Sequence, residues 1–500
     1  MTCGWKLVFI GGAIWSVCSL ASLAGSIQAT NRDGSTATYD NTWAGLQSAI
    51  VHAETGSANP QGVVKIWGDV SRLNASETQI LITTGNVTVR GGYTEGTFSD
   101  ALRSGRSKID AASTTLGDEC RVIWIDAGAN NTTLDSLEIT GGKSGNGSGN
   151  QAYGAAGIWV GGQSRLTNLV VHDNSTIKSG GGVIPYSGTV AGTTYTADGT
   201  VIEYCTFYNN TADVTGGGVN VIAPDVMIAN SVFRDNNAGY GGAIASTPSD
   251  GVDPRLFGSL LYDNTCGAEA AAIHVMGNST PKTVIRVINS TIADNVTSGK
   301  YGIYESLVNA SAVQHFVLRN SIVSLNGEGV YGYDDGDDEF FIQHCVSDPD
   351  EDYDPSSAYT EDNHVTAWPT FLDRPNDDYR LTVDSPAVDI GTLGINTYLE
   401  VMSDADMVAA FGGVAGDYAG YTMYYVPLKS SNLYNKGLDV IVHLGGFVPD
   451  PADYLDNYIY TTDLAGKPRL AAKEKNGSLL IDAGAYEFTV RSKGTVFLLR

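Results

Sequence analysis

The densest chemistry in the chain is acidic. The stretch YDDGDDEF (333–340) sets Asp334, Asp335, Asp337, Asp338 and Glu339 around Gly336, and SDPDEDYDP (347–355) adds Asp348, Asp350, Asp352 and Asp354. Carboxylates are hard oxygen ligands and glycine permits a sharp turn. Ca2+ takes about six to eight oxygens, so Asp334, Asp335, Asp337 and Asp338 form a candidate Ca2+ loop. The EF-hand spacing with its terminal Glu is missing, and a solvated acidic loop would use the same residues. Ca2+ is the one cofactor the sequence suggests.

Other reactive side chains are dispersed. Hydrolysis of a glycan needs two carboxylates at a set separation. Elimination from a uronate needs a base and a cation or basic side chains to hold the carboxylate. Asp377 and Asp378 are adjacent, but their context, NDDYR, reads as a turn. Arg234, Arg255, Arg286 and Arg319 are read as not sharing one column, and the 7 His, among them His172, His274 and His344, are scattered. Cys120, Cys205, Cys266 and Cys345 lie far apart without metal-ligand spacing; they could pair or remain buried thiols.

The elements that would position these residues come from a repeat. SVFRDNNAGYGGAI (231–244) contains Asn236, and the same pattern recurs around Asn174, Asn210, Asn264, Asn295 and Asn326. The intervals are 36, 26, 28, 31 and 31 residues, a constant core with loops of unequal length. Three residues before each Asn stand Val171, Phe207, Phe233, Leu261, Ile292 and Val323; eight before stand Leu166, Ile202, Ile228, Leu256, Val287 and Leu318. Five before, Cys205, Ser231, Ser259, Ser290 and Ser321 make a small column, with Leu169 the exception. Gly-rich second strands follow, as in GGGVNV (216–221) and GGAIAS (241–246). One such unit cannot bury its apolar side chains, but stacked units turn them into continuous ladders. Strands of successive coils then pair in parallel about 4.8 Å apart. Aligned Asn residues hydrogen-bond from coil to coil, as in other stacked parallel sheets. The expected fold is all-β, a right-handed parallel β-helix over 60–345, with a cap region at 30–59 and a β-rich extension at 346–500. The six Asn are then structural.

The whole chain agrees. Its 500 residues include 60 Gly and 26 Tyr, with 17% charged residues and a net charge of −26. That charge excludes nucleic acid as a partner, since nothing neutralises phosphates over a useful surface. The N-terminus has one Lys, then an apolar run from Leu7 to Ala24, then small residues up to Ala29. This is the layout of a secretory signal peptide, with 1–29 removed; membrane attachment would arise only if that segment stayed uncut. The expected location is outside the cell or on its surface.

FRDN and GGAI resemble the repeat signatures of polymorphic outer-membrane proteins and related β-helix surface proteins. VTVRGGYTEGTFSD (87–100), RSKIDAAS (106–113) and LDSLEITGG (134–142) resemble the opening coils of secreted bacterial proteins with a choice-of-anchor Q domain. WPTFLDRPNDDYRLTVDSPAVDIG (368–391) and TDLAGKPRL…LIDAGAYEF (462–488) resemble that family's closing motifs. Residues 392–461, rich in Tyr, look like an insertion, and TVRSKGTVFLLR after GAYEF carries no recognisable anchor. The resemblance implies secretion and a β-helix, and it implies no assigned activity. RVIWIDAG (121–128) also resembles a pectate-lyase stretch, but Ala127 stands where that stretch has His.

Two functions follow as expectations. The first is a non-catalytic structural or adhesive surface protein binding glycans or other cell-surface material, with exposed aromatic and polar side chains such as those of GGVIPYSGTVAGTTYTADGT (181–200). The second is a secreted lyase or glycoside hydrolase acting on acidic polysaccharide with Ca2+. The first demands only an exposed face, the second a convergence of basic and acidic groups.

Overall fold

In a computed structural model the chain is a parallel β-helix. It describes residues 25–388 except 58–60, 74–76, 95–96, 113–119, 146–153, 247–253, 278–282, 298–300, 308–313, 333–338, 350–352, 356–358 and 363. Residue 390, residues 463–465 and 484–486, and a few isolated short strands near both ends are also described.

One coil shows the plan. Met227–Ala229 lies on face one, Val232–Arg234 on face two, Asn237–Tyr240 on a short connecting face, and Ile244–Ser246 on face three, the Gly-Gly face. Stacking builds sheets of 13, 11, 6 and 10 strands respectively. The columns read from the sequence face inward. Leu166, Ile202, Ile228, Leu256, Val287 and Leu318 align in register on face one. Val171, Phe207, Phe233, Leu261, Ile292 and Val323 do so on face two. All are buried, and the Phe207 and Phe233 rings stack 4.6 Å apart. Parallel pairing continues through Tyr359–Asp362 and Val365–Thr366, beyond residue 345.

The corners explain the polar columns. Between faces one and two the backbone turns through positive φ at Asn168, Tyr204, Asn230, Asn289, Asn320 and His344; after face two it does so at Asp173, Asn209, Asp235, Asp263 and Asp294. Asn and Asp enter this left-handed region more readily than other side-chain-bearing residues. The Gly-Gly elements have a different cause, the close approach of neighbouring coils. A Cβ on Gly182 would stand 2.4 Å from the Gly218 carbonyl oxygen, and one on Gly218 would stand 2.6 Å from that of Ala243.

The N-terminal end is closed by a helix that composition did not announce. Thr42 caps Trp43–Ala53 by accepting from the Gly45 amide at 3.0 Å. Trp43, Leu46, Ala49, Ile50 and Ala53 make one buried stripe, the spacing an amphipathic helix requires. Trp43 Nε1 donates to the Thr78 carbonyl at 2.6 Å, and the Glu54 carboxylate accepts from the Thr83 and Thr84 amides. The first coil's apolar interior is thereby covered.

Toward the other end, a closing unit docks on the outside of face two. Phe371–Asp373 pairs with Asp378–Leu381, with Asp377 at the turn at φ 61°. Tyr379 is buried among Leu260, Tyr262, Ala293 and Ala485, while Leu381 and Ala387 pack on Ile322 and Val346. The Tyr379 hydroxyl donates to Asp294 Oδ2 at 2.8 Å, Arg374 Nε lies 3.1 Å from the same oxygen, and the Ala485 amide donates to Thr291 Oγ1 at 2.9 Å. The DYRL and GAYE motifs thus meet on one surface.

Candidate functional site

The structure places the sequence-derived residues in two groups and adds a third. Asn174, Asn210, Asn236, Asn264, Asn295 and Asn326 form one buried ladder. In the first five, Nδ2 donates to the next Oδ1 at 2.8–3.0 Å and the backbone amide donates to that same oxygen. Each Nδ2 also reaches a carbonyl of the preceding coil, such as Phe207 for Asn236 at 3.0 Å. Gly142, where the repeat lacks its Asn, ends the row by donating its amide to Asn174 Oδ1. A parallel ladder runs through the small column. The amides of Cys205, Ser231, Ser259 and Ser290 donate to the hydroxyls of Ser231, Ser259, Ser290 and Ser321.

Cys205 extends this Ser column. Cys345 follows the strand corner at His344, one coil beyond Ser321. Burial pushes both thiols up to about 12, far from the thiolate a nucleophile or metal ligand requires. Cys120, Cys205, Cys266 and Cys345 are all buried thiols rather than disulfides.

The second group is the charged residues. Asp334, Asp335, Asp337 and Asp338 lie outside the described residues. Among the described residues, no group of three or more His, Cys, Asp or Glu is placed to hold a metal ion. Asp377 serves the turn, and Asp378 pairs with Arg380. The four arginines do not form one column, as expected, although Arg255 and Arg286 are directly opposed on face one. Both stand nine residues before a ladder Asn, so equal offset was the available signal. Arg319 opposes Ile288 instead, and Arg234 belongs to face two. Arg255, Arg286 and Arg319 are buried, so they offer no open basic surface. On face two, His172 lies between Asp173 Oδ2 at 2.6 Å and Glu138 Oε1 at 3.1 Å and stacks on Tyr208; Arg234 covers Tyr208 and pairs with Asp235. These acid and base groups are engaged with one another.

The third group, missed by sequence reasoning, is the outward column of face three. Leu81, Trp124 and Trp159 align in successive coils, and further along Ala245, His274, Tyr304 and Tyr331 align likewise. The column carries two aromatic blocks. In the first, Trp159 stacks between Trp124 at 5.1 Å and Tyr186 at 4.9 Å, with Tyr195 edge-on. Arg121 lies beneath, 4.5 Å from the Trp124 ring centre, and burial lowers its guanidinium to about 9. The hairpin Ser187–Val190/Thr193–Thr196 covers this block. Tyr195 is therefore buried, contrary to the expectation that 181–200 displays exposed aromatics; the hairpin's own apolar side chains need that cover.

The second block is open. His274 stacks with Tyr304 at 5.8 Å, Tyr304 with Tyr331 at 4.8 Å, and Tyr301 leans on both tyrosines. Tyr240 flanks His274 at 5.0 Å and is exposed, while Tyr301, Tyr304 and Tyr331 are half-buried. Rings stacked face to face along the solenoid offer solvent their edges and hydroxyls, a hydrogen-bonding row with coil spacing. Burial and the Glu269 carboxylate both push the Tyr304 phenol up, so it stays a donor. Ser306 Oγ lies 3.2 Å from His274 Nε2, the geometry of a nucleophile and base. Burial holds His274 at about 4, however, too weak a base to activate serine at neutral pH.

The fold and this surface define a capped parallel β-helix with one open aromatic face. No family model, curated protein or solved structure matches the chain.

Proposed function

We propose that this protein is an exported or surface-displayed, non-catalytic β-helix that holds glycan or similar cell-surface material along its Gly-Gly face. The observation that carries the reading is the open row of Tyr301, Tyr304 and Tyr331. Stacked, low-entropy aromatic donors suit a polymer with repeating hydroxyls, and an extended solenoid face suits extended ligands. The surroundings favour a neutral or amino-bearing glycan. Glu269 and Glu328 flank the row, and the acidic 333–338 stretch follows Tyr331. An acidic polysaccharide would need basic side chains turned to solvent, whereas Arg255, Arg286 and Arg319 are buried.

Affinity electrophoresis through gels containing xylan, mannan, chitosan, pectate or alginate tests this. Retardation is expected with a neutral or amino-bearing polymer, and Tyr304→Ala/Tyr331→Ala should weaken it about tenfold, roughly 1.4 kcal/mol. Unsaturated uronate absorbance from pectate or alginate with Ca2+ would replace this reading with a lyase.

A further inference from the structure

We infer that the N-terminal leader is removed upstream of Ser26, at the Ala24–Gly25 bond or three residues earlier, and not after Ala29. The inference rests on the export reading above. Ser26–Thr30 is an interior strand of face one. It pairs antiparallel with Thr36–Asp40 on one side and with Gly62–Trp67 on the other, over its full length. Ile27 and Ala29 are wholly buried in the main core, together with Leu46 and Ile50 of the capping helix. Gly25 is fixed as well: a Cβ there would stand 2.0 Å from the Trp67 carbonyl oxygen. A cut after Ala29 would therefore remove the strand that joins the cap to the first coil. It would leave Gly62–Trp67 without that neighbour and uncover the apolar groups beneath.

The sequence upstream behaves differently. Among the described residues, Lys6–Ile10 and Ala13–Val17 pair with each other in a two-stranded sheet separate from those of the solenoid. Leader peptidases take small residues at the first and third positions before the cut. Ser22-Leu23-Ala24 supplies both, as does Ser19-Leu20-Ala21, whereas Ile27-Gln28-Ala29 places a bulky Ile at the third position. The chemistry is hydrolysis by a membrane-bound peptidase of the export machinery. Water adds across the peptide bond, giving a carboxylate on the leader and an amine on the mature chain.

The test is expression of the full chain in a bacterial host that exports it, followed by intact mass and N-terminal sequencing of the exported product. A start at Gly25 or Ser22 is expected. A start at Thr30 or Asn31 would overturn the inference while leaving export intact. An uncut chain retained inside the cell would overturn the export reading itself. Ala24→Leu/Ala21→Leu gives a second readout: the precursor should accumulate, whereas unchanged processing would overturn the assignment.

Discussion

Asn236 accepts from the backbone and side chain of Asn210 and donates to Asn264 and to the Phe207 carbonyl. Its side chain makes these four bonds at a point wholly closed to water. Asn236→Ala leaves several buried groups unpaired at once and should cost about 2–5 kcal/mol. Asn237→Ala, one residue on and exposed, should change stability by no more than about 0.5 kcal/mol. Urea denaturation of both variants separates them, and equal midpoints would show that the ladder is not what holds the corner. This column was legible because one residue type recurred at one place in the repeat. The outward aromatic column was not, because its members differ in type. Trp124, Trp159, His274, Tyr304 and Tyr331 share only a register, which loops of unequal length conceal.

At the scale of elements, the closing unit meets face two across a row of carboxylates. Asp263 faces Asp235, Asp294 and Asp377, and partial desolvation together with these charges raises its carboxyl above the usual aspartate range. A raised carboxyl binds its proton more readily in the folded chain than in the unfolded one. Its contribution is therefore favourable at acid pH and is lost as pH rises from the ordinary aspartate range through the raised value. Asp263→Asn should melt higher than the parent at pH 7, and the gap should close as pH falls to the ordinary aspartate range. The side chain is exposed and screened, so the gain should stay below about 1 kcal/mol. Thermal melts at several pH values decide it; a gap independent of pH would mean that Asp263 acts through something other than its charge. The closing motifs were visible as DYRL and GAYE in the sequence. Their docking on Tyr262, Thr291 and Ala293 was not, because those contacts join residues up to 194 positions apart.

For the whole molecule, stability propagates between neighbouring coils, so the ends matter more than in a globular domain. Leu46 is fully buried at the N-terminal end, where the capping helix covers the first coils. Leu46→Ala should cost about 2–5 kcal/mol. Hydrogen exchange should rise at Ile80–Ile82 and Val87–Tyr93 while Leu260–Tyr262 and Ile322–Ser324 stay protected. A uniform rise along the solenoid would show one global cooperative unit instead.

What the sequence determined by itself was whatever repeats. The inward apolar columns, the Asn and Ser ladders and the parallel coil follow from local period and from the inability of one coil to bury its own side chains. The capping stripe from Trp43 to Ala53 was written there too, but it occurs once and so has no repeat to mark it. Only the tertiary structure decided which side chains are covered. Trp159 is buried and Tyr304 half-open on the same face because a hairpin folds over the first block. Likewise, Ser26–Thr30 looks like the tail of a leader until its two partner strands are seen. Cover and pairing depend on segments distant in the chain, and no local pattern records them.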